Sequence, residues 1–217
     1  MIQYPRILPV GDTAFTVEFG ATIEEQLVAQ VQDFDADLKA HPIRGVRETV
    51  PSYCALLVVY DPQCCSAATM RRALEQALTQ MRDRVHPEGR LIEIPVRYGG
   101  VEGPDLQDVA DYHQLSPEEI IAFHTTSTYR VAMLGFAPGF AYLLGLDPRL
   151  ATPRLATPRT QVAPGSVGIA GNQTGVYALS TPGGWRIIGR TPLVLFDPTR
   201  PEPFLLQAGD SVSFRVA

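Results

Sequence analysis

The chain has 217 residues, 45% hydrophobic and 19% charged, which excludes a disordered segment and suits one large domain or two small ones. Nineteen prolines and 18 glycines demand frequent turns, and so short strands rather than a helical bundle. A formal net charge of −5 excludes a duplex nucleic-acid binder, which needs a basic face to displace counterions, and with no run of 18 apolar residues no membrane span is expected.

Phe15, Val17 and Phe19 alternate with Thr16 and Glu18, the period of a half-buried strand. Thr22-Ile23-Glu24-Glu25 has the spacing of a capping box, and Ile23, Leu27, Val31, Phe34 and Leu38 then recur at helical spacing until His41-Pro42. Val46, Glu48 and Val50 alternate, Pro51-Ser52 turns the chain, and Cys54–Tyr60 is a nearly all-apolar strand. Met70, Leu74, Ala77, Leu78, Met81 and Val85 predict a second amphipathic helix, with Cys64-Cys65 at its start. Ile92, Ile94 and Val96 predict a fourth strand. The order β-α-β-β-α-β predicts a ferredoxin-like α+β domain over residues 1–98. Its charges sit at solvated helix positions. Three cysteines are too few and too oddly spaced for a disulfide framework, and the N-terminal stretch from Met1 to Arg6 has no basic-then-apolar pattern of a secretory signal. A reduced, cytoplasmic protein is expected.

Residues 99–217 read differently. Gly99-Gly100 and Gly103-Pro104 form a hinge region, and two short helices follow, the second opened by Ser116-Pro117-Glu118-Glu119. Tyr129, Val131 and Met133 alternate with polar or small residues, and short strands are predicted at Val167–Ala170, Val176–Leu179, Trp185–Gly189, Leu193–Phe196 and Ser211–Val216. Many short strands cut by Pro and Gly predict a closed or nearly closed β-barrel.

Charge is unevenly spread. The chain has 17 arginines and one lysine, Lys39. Between Ser127 and Phe196 lie Arg130, Arg149, Arg154, Arg159, Arg186 and Arg190 against one acid, Asp147. A local surplus of guanidinium beside Gly-rich turns suits an anionic small molecule. Pairing of single arginines with carboxylates from elsewhere stays open. Gly165-Ser166-Val167-Gly168 and Gly171-Asn172-Gln173-Thr174-Gly175 are either backbone amides gathered for an anion or tight barrel corners. Neither is a Walker loop. The four histidines, His41, His86, His113 and His124, lack metal-ligand spacing, so no structural metal is expected. No Ser-His-Asp elbow surrounds Ser166. Without a self-contained catalytic set, the chain reads as one half of a composite site.

Four separated stretches carry a family resemblance: Tyr129-Arg-Val-Ala-Met-Leu-Gly-Phe-Ala-Pro-Gly-Phe-Ala-Tyr142, Pro153-Arg154 to Pro158-Arg159, Gly165-Ser-Val-Gly-Ile-Ala-Gly-Asn-Gln-Thr-Gly-Val-Tyr177, and Ser180-Thr-Pro-Gly-Gly-Trp-Arg-Ile-Ile-Gly-Arg-Thr-Pro192. Together they resemble the allophanate hydrolase subunit 1 / KipI family, and within it the B subunits of 5-oxoprolinases. Ala163-Pro164, Asn172 and Ala178 depart from the usual pattern, which touches the shape of one loop. The resemblance implies an N-terminal α+β domain followed by a cyclophilin-like β-barrel. It implies partners of the KipA-like (allophanate hydrolase subunit 2) and LamB/YcsF-like types, and an ATP-dependent opening of 5-oxoproline, a small anionic lactam, to L-glutamate, with ATP and Mg2+ shared with those subunits. On that reading Arg154, Arg159 and Arg190 face the transferring phosphoryl group, with amides of Gly165 and of the Gly171–Gly175 turn helping. Ser166, Gln173 and Thr174 contact the substrate or nucleotide. Phe136, Phe140, Tyr142 and Trp185 either wall the pocket or belong to the barrel core, and His124 is either an acid–base group or a satisfied helix-end histidine. Two other family roles remain open: a KipI-like inhibitor of a sensor histidine kinase, and the barrel half of a urea or allophanate biotin-dependent carboxyltransferase.

Overall fold

A computed structural model describes residues 3–81 and 89–217. The chain divides into two compact units, Met1–Pro87 and Glu88–Ala217. Among the described residues no helix is long and apolar enough to cross a membrane.

The first unit runs β1 (Arg6–Val10), β2 (Ala14–Glu18), α1 (Glu25–Ala40), β3 (Val46–Pro51), β4 (Ala55–Tyr60) and α2 (Ala67–Gln80). Its sheet has the order β1-β2-β4-β3, every pair antiparallel. Gly11, at φ +59°, turns β1 into β2 in the left-handed region that glycine enters without strain. β4 alternates between half-buried and buried residues, with Leu56, Val58 and Tyr60 facing the core. α1 buries Val28, Val31, Phe34 and Leu38. At about 1.5–3 kcal/mol for each large apolar side chain, that stripe rather than helix propensity holds the helix in place.

Three expectations change here. Leu91–Tyr98, the strand that was to complete a ferredoxin-like sheet, belongs to the barrel, and Arg6–Val10 takes the fourth place. The unit is therefore β-β-α-β-β-α, and the division falls before that strand rather than after residue 98. The capping box at Thr22 does not form: α1 starts at Glu25, and Thr22 donates its hydroxyl to the Glu24 carboxylate at 2.6 Å. Cys64 and Cys65 sit in the turn before α2, whose N-cap is Ser66, its hydroxyl accepting from the Thr69 amide. Val85, counted in that helix, and His86 lie outside the described residues.

The second unit holds β5 (Leu91–Tyr98), α3 (Leu106–His113), α4 (Pro117–Thr126), β6 (Thr128–Leu134), β7 (Ala141–Leu144), β8 (Arg159–Val162), β9 (Ser166–Ala170), β10 (Gln173–Val176), β11 (Thr181–Gly183), β12 (Arg186–Arg190) and β13 (Ser211–Val216). Seven strands close into a barrel in the order β10-β7-β6-β13-β5-β12-β9, with β9 pairing back to β10. β8 and β11 form a separate two-stranded ribbon. β13 runs parallel to β5 and antiparallel to β6. Leu193–Phe196 is not a strand: Phe196 makes only a single bridge to Phe204. Pro192 ahead of it has no N–H to extend a ladder. Inward side chains such as Ile94, Val96, Val131, Leu143, Val167, Ile169, Ile188 and Phe214 fill the interior. α3 packs on β12 and α4 on β13, and α4 carries a complete capping box between Ser116 and Glu119.

Candidate functional site

The loop from β6 to β7, the start of β7, the residue after β10 and the residue before β12 bring five aromatic rings together outside the main barrel core. Phe140 is at the centre, edge-on to Tyr142 at 4.8 Å, Tyr177 at 5.1 Å, Trp185 at 5.4 Å and Phe136 at 5.5 Å between ring centroids. Two glycines make the cluster possible. A Cβ on Gly175 would lie 3.1 Å from both the Phe140 and the Trp185 ring, and one on Gly183 would lie 2.2 Å from the Tyr177 hydroxyl. Phe140, Tyr177 and Trp185 are buried, so they are floor, whereas Phe136 is 63% exposed. Phe136 also stands at φ +66°, where a residue with a Cβ is strained. Between these rings lies a concavity of about 260 Å³, and Arg154 lines it with Pro158, just ahead of β8, and Gly183 of the neighbouring ribbon.

Arg154 is exposed and has no hydrogen-bond or ion-pair partner among the described residues. Burial raises the Tyr142 phenol, and the Arg154 charge opposes that only in part. Burial raises Tyr177 too, against the Trp185 backbone N–H that donates to its oxygen and the charge of Arg154. Both rings therefore remain neutral phenols at pH 7.

The other arginines are not gathered here. Arg159 Nη2 donates to Asp105 Oδ1 at 2.7 Å, and Arg186 meets Asp108 at 3.2 Å. Arg149 pairs with Asp147 at 2.6 Å and lies over the Phe123 ring at 3.6 Å. Asp105 is buried and fixed twice over: its Oδ2 accepts the Ile187 amide at 2.6 Å, and its own amide donates to the Ile187 carbonyl at 2.9 Å. The acids that neutralise Arg159 and Arg186 thus come from the start of α3, outside the acid-poor window, because α3 lies on β12. In place of one guanidinium-lined hollow there are separate ones. Arg159 and Arg190 line a second concavity of about 390 Å³ with Gln161 and Ser166.

The glycine turns are barrel corners. The Gly165 amide donates to Tyr177 O at 2.7 Å, the Ser166 amide to Ala163 O at 3.2 Å and the Gly171 amide to Thr152 O at 2.7 Å, so these groups are already used. Gly165 is required: it sits at φ +83°, and a Cβ there would meet the Thr191 carbonyl at 2.3 Å. Gln173 and Thr174 lie in β10, both buried.

His124 is fully buried at the end of α4, away from both concavities. Its Nε2 is 3.0 Å from Thr174 Oγ1 and its Nδ1 2.8 Å from the Tyr98 hydroxyl. Burial holds its pKa down to about 3. Its backbone carbonyl accepts the Tyr129 hydroxyl at 2.8 Å. The structure makes it the satisfied helix-end histidine, a neutral link between α4, β5 and β10, rather than an acid–base group reaching substrate. Sequence reading missed Tyr177 as a wall and Asp105 as an anchor. The signal for Asp105 was its place just ahead of α3, which reads equally well as a helix cap.

Comparison with known proteins places the chain. The family described as "Carboxyltransferase domain, subdomain C and D" matches residues 5–206. The 5-oxoprolinase B subunit of Bacillus subtilis (strain 168) is 46% identical over 219 residues, covering 96% of this chain and 91% of that protein. The 5-oxoprolinase B subunit of Escherichia coli O157:H7 is 42% identical, covering 98% and 96%. The crystal structure of TTHA0988 superposes with a TM-score of 0.83 at 38% identity over 94% of this chain, and there the match spans 40% of the longer chain. A match from residue 5 to residue 206, backed by relatives at 46% and 42% identity along nearly the whole length, shows that this chain belongs to the carboxyltransferase-domain family, subdomain C and D.

Proposed function

We propose that the chain is the B subunit of an ATP-dependent 5-oxoprolinase complex, which opens 5-oxoproline to L-glutamate, and that its aromatic concavity receives the lactam. The carrying observation is Arg154, a guanidinium without a partner among the described residues, at the rim of a pocket walled by Phe136, Phe140, Tyr142, Tyr177 and Trp185. A five-membered lactam offers an apolar ring edge for aromatic walls and one carboxylate for a guanidinium fork. The two neutral phenols leave the carboxylate unopposed. Phe136 on its strained backbone is the wall that faces solvent, at the entrance.

The residues present do not fit a magnesium–triphosphate. Among the described residues no group of three or more His, Cys, Asp and Glu is placed to hold a metal ion, and the glycine-turn amides are used internally. The magnesium ion of the nucleotide is therefore assigned to partner subunits. Among the described residues no carboxylate or imidazole lines the aromatic concavity, and the general base is assigned to a partner as well. That supports a non-autonomous subunit acting with KipA-like and LamB/YcsF-like proteins. The TTHA0988 chain, in which the matching part is 40% of the length, supports it too: there the same unit is joined to further polypeptide. The closed seven-stranded barrel is read as cyclophilin-like. Free thiols at Cys54, Cys64 and Cys65 support a reducing, cytoplasmic setting.

The test is reconstitution. With both partners added, phosphate release should depend on 5-oxoproline and on this chain. A complete set that leaves 5-oxoproline untouched overturns the reading.

A further inference from the structure

We propose a second ligand site on this chain, for a phosphate-type oxyanion, where Arg159, Arg190 and Ser166 line one concavity beside the barrel strands, with Arg97 across the sheet from Arg190. Arg190 of β12 is the register partner of Arg97 on β5 and of Ser166 on β9. Residues directly opposite across an antiparallel pair share one face of the sheet, with Cβ atoms about 5 Å apart. Two like charges in that relation repel, and an anion between them turns the repulsion into attraction.

The donors are already oriented. Arg190 Nε donates to Pro164 O at 2.8 Å, which fixes the guanidinium and leaves its two terminal nitrogens without a partner among the described residues. Arg159 reaches the same concavity from β8. Its Nη2 is held by Asp105, while its Nη1 is buried with no hydrogen-bond partner among the described residues. A buried, unpaired N–H of a charged group calls for an acceptor. The Ser166 hydroxyl lines the concavity and likewise has no partner among the described residues.

Two acids lie close. Asp105 balances Arg159, and Glu102 stands 3.6 Å from Arg97, beyond hydrogen-bond length. Three arginines against two carboxylates leave one positive charge, centred on Arg190. The concavity of about 390 Å³ holding Arg159 and Ser166 and a neighbouring one of about 330 Å³ holding Arg97 have Arg190 and Glu102 in common. Planar forks from several directions suit a tetrahedral oxyanion. Inorganic phosphate and the phosphoryl end of a small metabolite both present that chemistry.

The full chain alone is titrated calorimetrically with inorganic phosphate and, separately, with glycerol phosphate. Saturable one-to-one binding of either in the millimolar range is expected, and the ester binding more tightly than the free ion identifies a phosphorylated metabolite as the source. Arg190→Gln should weaken binding about tenfold, and Ser166→Ala by about half as much on a logarithmic scale. Arg200→Gln, which removes an exposed barrel-unit charge paired, among the described residues, with Asp197 alone, should leave it unchanged. No saturable binding of either probe, or an equal loss in Arg200→Gln, overturns the proposal. The measurement involves no turnover and no partner, so its failure is separate from failure of the 5-oxoprolinase reading.

Discussion

Thr174 Oγ1 gives its one proton to the carbonyl of Gly168, at 3.0 Å, and so accepts from His124 Nε2 on its other side, also at 3.0 Å. That relation sets the tautomer: Nε2 carries the proton, and Nδ1 accepts from Tyr98. An acid-stability prediction follows. The unfolded chain takes up a proton on this ring near 6.5, whereas the folded chain resists until about 3. Between those values the unfolded state binds more protons, so the contribution of His124 is fully present above 6.5 and falls with falling pH at about 1.4 kcal/mol per unit. Urea unfolding from pH 7 to pH 4 should show a steeper loss in the parent than in His124→Gln. Parallel curves would remove the buried neutral imidazole.

Arg154→Gln should raise the KM for 5-oxoproline about 10- to 100-fold in the reconstituted complex, the worth of one charge-assisted pair, with a smaller change in kcat. Trp185 is the only tryptophan, so its fluorescence reads the pocket directly. Titration with 5-oxoproline should change the emission of the parent and do so only at higher concentration in the variant. An unchanged KM would place the carboxylate elsewhere.

Phe136→Asn should separate stability from function. Asn tolerates the left-handed backbone that costs other residues about 1–2 kcal/mol, and the exposed Phe136 ring gives up little burial when removed. Tm is expected to hold or rise while KM rises. A clear fall in Tm would show that the ring is a packing element instead.

Asp105→Ala should destabilise the second unit by about 3 kcal/mol, the low end for breaking a buried ion pair, because the Arg159 side chain keeps 32% of its exposure. Pairing it with Arg159→Met should cost less than the sum of the two single changes. Strict additivity in chemical denaturation would show that the pair is not coupled.

Much of this was legible in the sequence, and the failures are instructive. The barrel strands at Val167–Ala170 and Ser211–Val216 and the capped helix at Ser116 carry local signals, alternation and capping, that tertiary structure did not override. The strand around Ile94 was just as visible, but alternation does not say which sheet a strand joins, and its partners, β12 and β13, lie far along the chain. β8 and β11 escaped because Arg-Thr-Gln-Val and Thr-Pro-Gly have no apolar period. Four of the five aromatic walls, Phe136, Phe140, Tyr142 and Trp185, were named from their residue types, and Tyr177 was not. The regrouping of the arginines was not legible, since the acids that neutralise Arg159 and Arg186 come from a helix whose docking leaves no mark in sequence.

The parallel alignment of Ser211–Val216 beside Leu91–Val96 has a consequence for biosynthesis. A nascent chain whose Leu91–Tyr98 stretch has already left the exit tunnel must wait for Ser211–Val216 to be made before that strand finds its neighbour. Until then β5 and β6 each present an open edge, the kind of surface that recruits stray strands. The first unit carries no such delay, since its sheet is complete by Tyr60. Termination before Ser211 would therefore spare the first unit and leave a sticky, unclosed second unit for the quality-control machinery.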